Sequence, residues 1–200
     1  MKRILLIISI SMICLALNGC KKIAPASMPD EIERNTLFIQ KDHIVELAIV
    51  ENFDKDHYSI TELQEFAQNQ IDSYNTKLNK KVVILTDTKE YKGKAILKLK
   101  FKSLIEYADY QKVDADVFQI ATANQEQLDS LPETFKTTKK KKDIAKEDII
   151  KNQDLNFIIL NDAYDFIIEN DILYYSANAK LINKNKIETL EGQATIIVYK

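Results

Sequence analysis

Glycine is the residue whose scarcity most restricts this chain, since only three occur in 200 residues, at positions 19, 93 and 192. Loops that cradle phosphate need several glycines, because a backbone without side chains lets consecutive N–H groups approach the ligand. The sequence contains no G-x-G-x-x-G pattern, no P-loop and no G-x-S-x-G turn. This scarcity argues against nucleotide-dependent enzymes and against α/β-hydrolases.

The first 20 residues have the pattern of an export signal. "MKR" is positively charged, and the 14 residues from Ile4 to Leu17 carry no charge. That run is shorter than the roughly 20 residues of a membrane-spanning helix and has the length of a signal peptide. "LNGC" then resembles the bacterial lipobox at Leu17, Gly19 and Cys20, while Asn18 departs from its commoner residues. The resemblance implies cleavage before Cys20 and a lipid, such as a palmitate-bearing diacylglycerol, on its thiol.

The alternative is an ordinary secretory signal followed by a free or disulfide-bonded Cys20. Cys14 lies in the segment that would be removed, which leaves Cys20 without a partner in the mature chain. A thioether-linked lipid accounts for such a lone thiol, and its two acyl chains anchor stably because each buried CH₂ contributes about 0.8 kcal/mol. We therefore predict residues 1–19 as a lipoprotein signal peptide and the extracytoplasmic face of a bacterial cell membrane as the location.

The rest of the chain has the composition of one globular domain. Hydrophobic residues make up 46% of the sequence and charged residues 29%, which is typical of a folded domain. The first 19 residues contain two basic residues and no acidic one, so the remainder carries a formal charge of −4. A mildly acidic, mixed surface gives no electrostatic reason to expect nucleic acid as a partner.

Hydrophobic periodicity predicts an α+β fold. Residues 20–35 contain two of the three prolines and are predicted to be the lipidated cysteine and a tether, followed by a single domain over 36–200. Strands are predicted around 36–53, 81–101 and 156–200, many of them joined as hairpins, and "KAILKLKF" alternates cleanly between apolar residues and lysine. Helices are predicted at 61–78, 103–111, 123–131 and 143–152. We expect one or more antiparallel sheets with a few packed helices.

The predicted helix at 61–78 has one apolar stripe, and the helix at 143–152 a candidate N-cap. The stripe, at the spacing of a core-facing helix surface, consists of Leu63, Phe66, Ala67, Ile71, Tyr74 and Leu78. The short acid Asp143 is the candidate N-cap of the later helix.

Two segments resemble a family of small lipoproteins from low-GC Gram-positive bacteria. The matching motifs are "VENFDKDHYSITEL" and "IDSYN" within residues 36–75, and "ILYYSANAKLINKNKIETLEGQATIIVYK" at residues 172–200. His57 stands where the family usually has Tyr, and His43 where its hairpin usually has Gly. The resemblance implies a lipoprotein with one α+β domain, and it carries over no catalytic residue.

The stretch "DKDHYSITELQE", residues 54–65, has the acid spacing of a calcium loop. An EF-hand also needs an oxygen ligand at position 5 and glycine at position 6, but Tyr58 and Ser59 stand there. Position 8 is Thr61 instead of a hydrophobic residue, and the preceding segment reads as a strand. We predict a strand-to-helix junction capped by Ser59 or Thr61, with no metal bound.

Other candidate sites have two readings each. The run 139–142 consists of four lysines and reads as a solvated loop or as a contact with an anionic envelope surface. The pairs Tyr107/Tyr110 and Tyr174/Tyr175 read as core residues or as a stacking platform for a ligand. The two histidines, which no zinc motif accompanies, read as surface or turn residues.

These observations predict a membrane-anchored extracytoplasmic lipoprotein that is a non-catalytic binding or structural module of the cell envelope. Its expected partners are the membrane, through lipid on Cys20, and an envelope protein or wall polymer, with no cofactor. One alternative is an envelope hydrolase that uses paired carboxylates. The other is an immunity or inhibitor lipoprotein, for which the segment "ATIIVYK" at 194–200 would offer a sheet edge to a partner strand.

Overall fold

The computed structural model describes residues 27–55, 58–190 and 192–200, in which thirteen strands form two sheets. The strands are Thr36–Ile39 (β1), Val45–Asn52 (β2), Val83–Tyr91 (β3), Lys94–Phe101 (β4), Ala115–Gln119 (β5), Thr134–Thr137 (β6), Asp143–Ala145 (β7), Asn156–Leu160 (β8), Asp165–Ile168 (β9), Ile172–Ser176 (β10), Lys180–Asn183 (β11), Lys186–Glu188 (β12) and Thr195–Tyr199 (β13). The helices are Ile60–Leu78 (α1), Leu104–Gln111 (α2), Gln125–Asp129 (α3) and Lys146–Ile150 (α4), with a 3₁₀ turn at Ile120–Thr122.

The two sheets differ in size and strand order. The seven-stranded sheet has the order β11-β12-β9-β1-β2-β4-β3, and the six-stranded sheet the order β5-β8-β13-β10-β6-β7. Every pair is antiparallel except β1 and β9, which run parallel. The predicted single α+β domain, built on antiparallel hairpins with packed helices, is confirmed.

The main core lies between the two sheets. Leu47, Leu99 and Phe101 of the seven-stranded sheet belong to the same buried cluster as Ile158 and Ile197 of the six-stranded sheet. Strand β4 shows why: its side chains alternate between the two faces, so one face is apolar while its lysines stay half-buried on the other. The predicted alternation of "KAILKLKF" is thereby confirmed.

A second apolar cluster covers the outer face of the six-stranded sheet. The rings of Phe118 and Phe157 stack with centroids 5.4 Å apart, and Phe135 meets Phe157 edge-on at 6.1 Å. Ile149 of α4 and Ile120 of the 3₁₀ turn complete this cluster. The 3₁₀ turn and the short helix α4 thus cover the outer face of the six-stranded sheet together.

Residues 27–35, which we call the strap, lie against the outer face of the seven-stranded sheet. Ile32 is only 3% exposed and packs with Ala48 and Ile96. The Asn35 side chain accepts a 2.8 Å hydrogen bond from the backbone N–H of Val50. The part of the predicted tether that the structure describes, residues 27–35, therefore packs on the folded domain.

Two predicted segments differ from the structure. Residues 143–145 form strand β7, and α4 begins at Lys146 with no side-chain cap, so the prediction that Asp143 caps a helix is wrong. The chain is held extended there because Ile144 packs into the outer cluster of the six-stranded sheet. The run "ILYYSANAKLI" is split by a turn into β10 and β11, which lie in different sheets.

The segment "ATIIVYK" is also placed differently from the expectation. Strand β13 lies between β8 and β10, and all five of its residues are buried. Its backbone is therefore already paired on both sides and offers no edge to a partner.

The junction between α1 and β3 depends on one side chain. Asn75 accepts hydrogen bonds from the backbone N–H groups of Val82 and Val83, at 2.8 and 3.2 Å, and donates one to the Val83 carbonyl at 2.8 Å. Both valines are buried, so these backbone groups have no access to bulk water. Asn75 therefore joins the last turns of the helix to the start of the edge strand.

We predict that Asn75→Ala lowers the free energy of unfolding by about 2–3 kcal/mol, because it leaves buried backbone groups without partners. Urea denaturation of the full chain measures this. The matched control is Asn69→Ala, an exposed position on the same helix, for which we expect a change within about 0.5 kcal/mol. Equal losses in the two variants would show that the Asn75 hydrogen bonds do not stabilise the junction.

We also predict that Ile32→Ala destabilises the domain by about 2–4 kcal/mol, since it leaves a cavity against Ala48 and Ile96. Ile182→Ala is the control, because Ile182 is 45% exposed. If thermal unfolding shows the same small effect for both variants, the strap does not contribute to the stability of the domain.

Candidate binding groove

An apolar groove opens between the N-terminal half of α1 and the inner face of the seven-stranded sheet. It is bounded by Ile49 of β2, by Ala95 and Leu97 of β4, and by Leu63 and Phe66 of α1. Its volume is about 670 Å³, within the roughly 300–1,000 Å³ that ligand sites occupy. The remaining lining residues are Glu51, Asn52, Phe53, Tyr58, Ser59 and Glu62. We call this feature the α1 groove.

The groove exists because the helix extends past the end of the main core. The apolar stripe of α1 was expected to face the core along its whole length. Ile71 does so and is 1% exposed, but Phe66, little more than one turn earlier, is 63% exposed. Leu99 and Phe101 of β4 belong to the core between the sheets, whereas Ala95 and Leu97 line the groove. The apolar residues in the first turns of α1 therefore form a wall of the groove and are not part of the core.

The groove carries negative charge at its rim. Among its lining residues, Glu51 and Glu62 are carboxylates and none is a lysine or arginine. Lys55 lies next to it, with its ammonium 5.5 Å from the centroid of the Tyr58 ring, and that ring packs against Phe53 at 5.3 Å. An apolar surface with an acidic rim favours the binding of a ligand or protein segment that has both apolar and cationic parts.

The stretch "DKDHYSITELQE" joins β2 to α1 beside this groove. Strand β2 ends at Asn52 and α1 begins at Ile60, which confirms the predicted strand-to-helix junction. Ser59 is the N-cap, and its hydroxyl accepts a 3.3 Å hydrogen bond from the N–H of Glu62. Among the described residues, no cluster of three or more His, Cys, Asp or Glu side chains is arranged to hold a metal ion. Residues 56 and 57 lie outside the described part.

The two tyrosine pairs contribute mainly to the core. Tyr107 is fully buried beside Phe101, with ring centroids 5.6 Å apart, and Tyr175 is 3% exposed. Burial, followed by the neighbouring Tyr164, raises the pKa of Tyr107 well above its ordinary value, so its phenol stays protonated. Tyr110 meets Tyr74 of α1 edge-on at 4.9 Å. These contacts support the core reading of Tyr107, Tyr110 and Tyr175.

The other predicted site residues lie apart from the groove. Cys20 and the rest of the signal segment fall outside the described residues. His43 is exposed in the turn between β1 and β2, with a φ of 66°. The run 139–142 lies between β6 and β7, and all four of its lysines are solvent-exposed. Of the described residues, neither His43 nor the run 139–142 lies among the residues that line the α1 groove.

A close carboxylate pair, the geometry that the hydrolase alternative requires, lies on the seven-stranded sheet. Asp165 and Glu188 are cross-strand partners, and both approach the same Nη1 atom of Arg34, at 3.5 and 2.7 Å. Lys186 pairs with Asp165 at 2.6 Å, and Lys180 with Glu188 at 3.1 Å. Hydrogen bonding from Arg34 and then from Lys180 holds the pKa of Glu188 below its ordinary value. A glycosidase acid needs the opposite shift, because it must hold a proton near neutral pH.

Comparison with known proteins identifies no relative. No protein-family model matches the chain, and no curated protein or solved structure is significantly similar to it. None of the described helices is long and apolar enough to cross a bilayer.

We predict that the ion pairs around Glu188 make stability depend on pH. Because folding lowers the pKa of Glu188, its ionised carboxylate stabilises the folded state fully at pH values above the pKa of a glutamate in the unfolded chain, about 4.3. This stabilisation is lost as the pH falls through the lower pKa that Glu188 has in the folded state. Glu188→Gln should be less stable than the parent at pH 7 and should lose less stability on acidification. Glu65→Gln, at an exposed position of α1, is the control. Parallel stability–pH curves for the parent and Glu188→Gln would contradict this prediction.

Proposed function

We propose that this protein is a lipid-anchored lipoprotein on the extracytoplasmic face of a bacterial membrane and that it acts there as a non-catalytic binding module. The observation that carries the proposal is the N-terminal sequence, in which a charged start and an uncharged 14-residue run lead to the Gly19–Cys20 pair. Two acyl chains on Cys20 provide a stable anchor, which a single chain does not.

The strap supports a close association with the membrane. The strap packs on the domain through Ile32, and six residues, 21–26, lie between Cys20 and the strap in the sequence. Six extended residues span at most about 20 Å. Lys21 and Lys22 lie directly after the anchor, where contact with anionic headgroups contributes about 1 kcal/mol for each residue. The anchor would hold the domain close to the bilayer surface.

The α1 groove supports the binding role. Its apolar lining and two carboxylates provide a surface for recognition, whereas the ion-paired Asp165 and Glu188 favour a structural role for those two carboxylates. The hydrolase alternative therefore has less support than binding. An inhibitor lipoprotein is still compatible with the groove, although β13 would not supply a free edge for its target.

We predict that Cys20→Ala releases the full chain from the membrane, because the variant lacks the thiol that receives the lipid. The measurement is fractionation of cells that express the tagged full-length protein, combined with mass spectrometry of its N-terminus. The parent should be found in the membrane fraction with a diacylated cysteine.

Cys14→Ala is the matched control, since that cysteine lies inside the predicted signal peptide, and it should remain anchored. If mass spectrometry finds no diacylated cysteine at the N-terminus of the membrane-bound parent, the lipid-anchor proposal is wrong.

A further inference from the structure

A second apolar surface carries the opposite charge to the α1 groove. It is a small hollow of about 240 Å³ on the seven-stranded sheet, lined by Ile44, Lys81, Val82, Ile84, Lys100, Phe101 and Lys102. We call it the lysine hollow. Three of its seven lining residues are lysines and none is acidic. Glu46 is the register partner of Lys100 and offsets part of this positive charge.

The groove and the hollow lie at opposite ends of the same strands. The groove is next to the end where Asn52 of β2 pairs with Lys94 of β4, and the hollow is at the end where Val45 pairs with Phe101. They are also on opposite faces, because Ala95 and Leu97 point to one side of β4 and Lys100 to the other. The strap covers the outer face near Ala48 and Ile96 and leaves the hollow uncovered.

We propose that the α1 groove of one molecule docks on the lysine hollow of a second copy of this chain. Phe66, exposed at the groove, would enter the hollow and pack on Ile44 and Ile84. Glu51 and Glu62 would then face Lys81 and Lys102 of the other copy. The contact combines one aromatic anchor, a residue type enriched at interface hot spots, with pairs of opposite charge, which provide specificity.

The charges favour this partner and this arrangement over two alternatives. A symmetric dimer through two grooves would bring the carboxylates of both copies together, which is unfavourable. An anionic membrane surface would repel the same carboxylates. The contact is therefore head-to-tail, and because both surfaces are available on each molecule, association can continue into rows. This inference does not depend on the lipidation of Cys20.

Carbodiimide coupling between two differently tagged copies of the full chain tests the proposal in the cells that express it. The reagent joins a carboxylate to a lysine ammonium only where the two are in contact. Membrane and released fractions are scored together, so that the readout does not depend on the anchor. We expect coupled dimers in which a peptide containing Glu51 or Glu62 is joined to one containing Lys81, Lys100 or Lys102.

Paired charge reversals make the test specific. Glu51→Lys/Glu62→Lys should abolish coupling at this contact, and so should Lys81→Glu/Lys102→Glu, because each variant opposes like charges. When the two variants are expressed together, coupling between them should return. Failure to return would overturn the proposal, as would dimers coupled only at other positions, or coupling of Glu51 and Glu62 only to another protein.

A matched pair of apolar substitutions tests the aromatic anchor. Phe66→Ser retains every coupling group, and we expect it to reduce the yield of coupled dimers at least about tenfold, as expected for a central aromatic anchor. Ile105→Ser is the control, because Ile105 is also 63% exposed but lies on α2, outside both surfaces. Equal yields in the two variants, or no dimers in the parent, would contradict the proposal. Circular dichroism of each variant verifies that the fold is retained.

Discussion

Burial of the inner faces of the two sheets against each other is the constraint on which the rest of the structure depends. Leu47 and Leu99 on one side and Ile158 and Ile197 on the other lose their contact with water only when both sheets are present. The helices α1 and α2 pack at this shared core, through Ile71 and the fully buried Tyr107 among others. The chain contains only two glycines after residue 19, so these large side chains, and not flexible loops, determine its architecture.

Both faces of the seven-stranded sheet are covered only in part, and this leaves one open surface on each face. Short helices cover the six-stranded sheet, while the strap covers only part of the seven-stranded one. The lysine hollow lies on the outer face beyond the strap, and the α1 groove lies on the inner face where the shared core does not reach. Their opposite charges arise from different elements, since the acids belong to β2 and α1 and the lysines lie around β3 and β4.

The fold also separates structural charges from charges that are free to recognise a partner. Arg34 of the strap forms ion pairs with Asp165 of β9 and Glu188 of β12, and these ion pairs hold the strap on the sheet. The groove carboxylates Glu51 and Glu62 have no lysine or arginine among the residues that line the groove with them. Because of this difference in surroundings, we assign a structural role to Asp165 and Glu188 and propose a binding role for Glu51 and Glu62.

Local chemistry was sufficient to predict the hairpin β3–β4, where Lys92 and Gly93 adopt positive φ. It also placed the start of α1 next to two candidate caps, Ser59 and Thr61, of which the structure uses Ser59. The lipidation of Cys20 stays a prediction from the sequence alone, since it depends on a signal within residues 1–20. The parallel pairing of β1 with β9, the interior position of β13 and the exposure of Phe66 were decided by tertiary structure. Alternation and capping depend on neighbours within a few residues, whereas these features depend on contacts between segments far apart in the sequence. The α1 groove belongs to that second class, because a helical stripe has the same sequence pattern whether or not a second sheet reaches it.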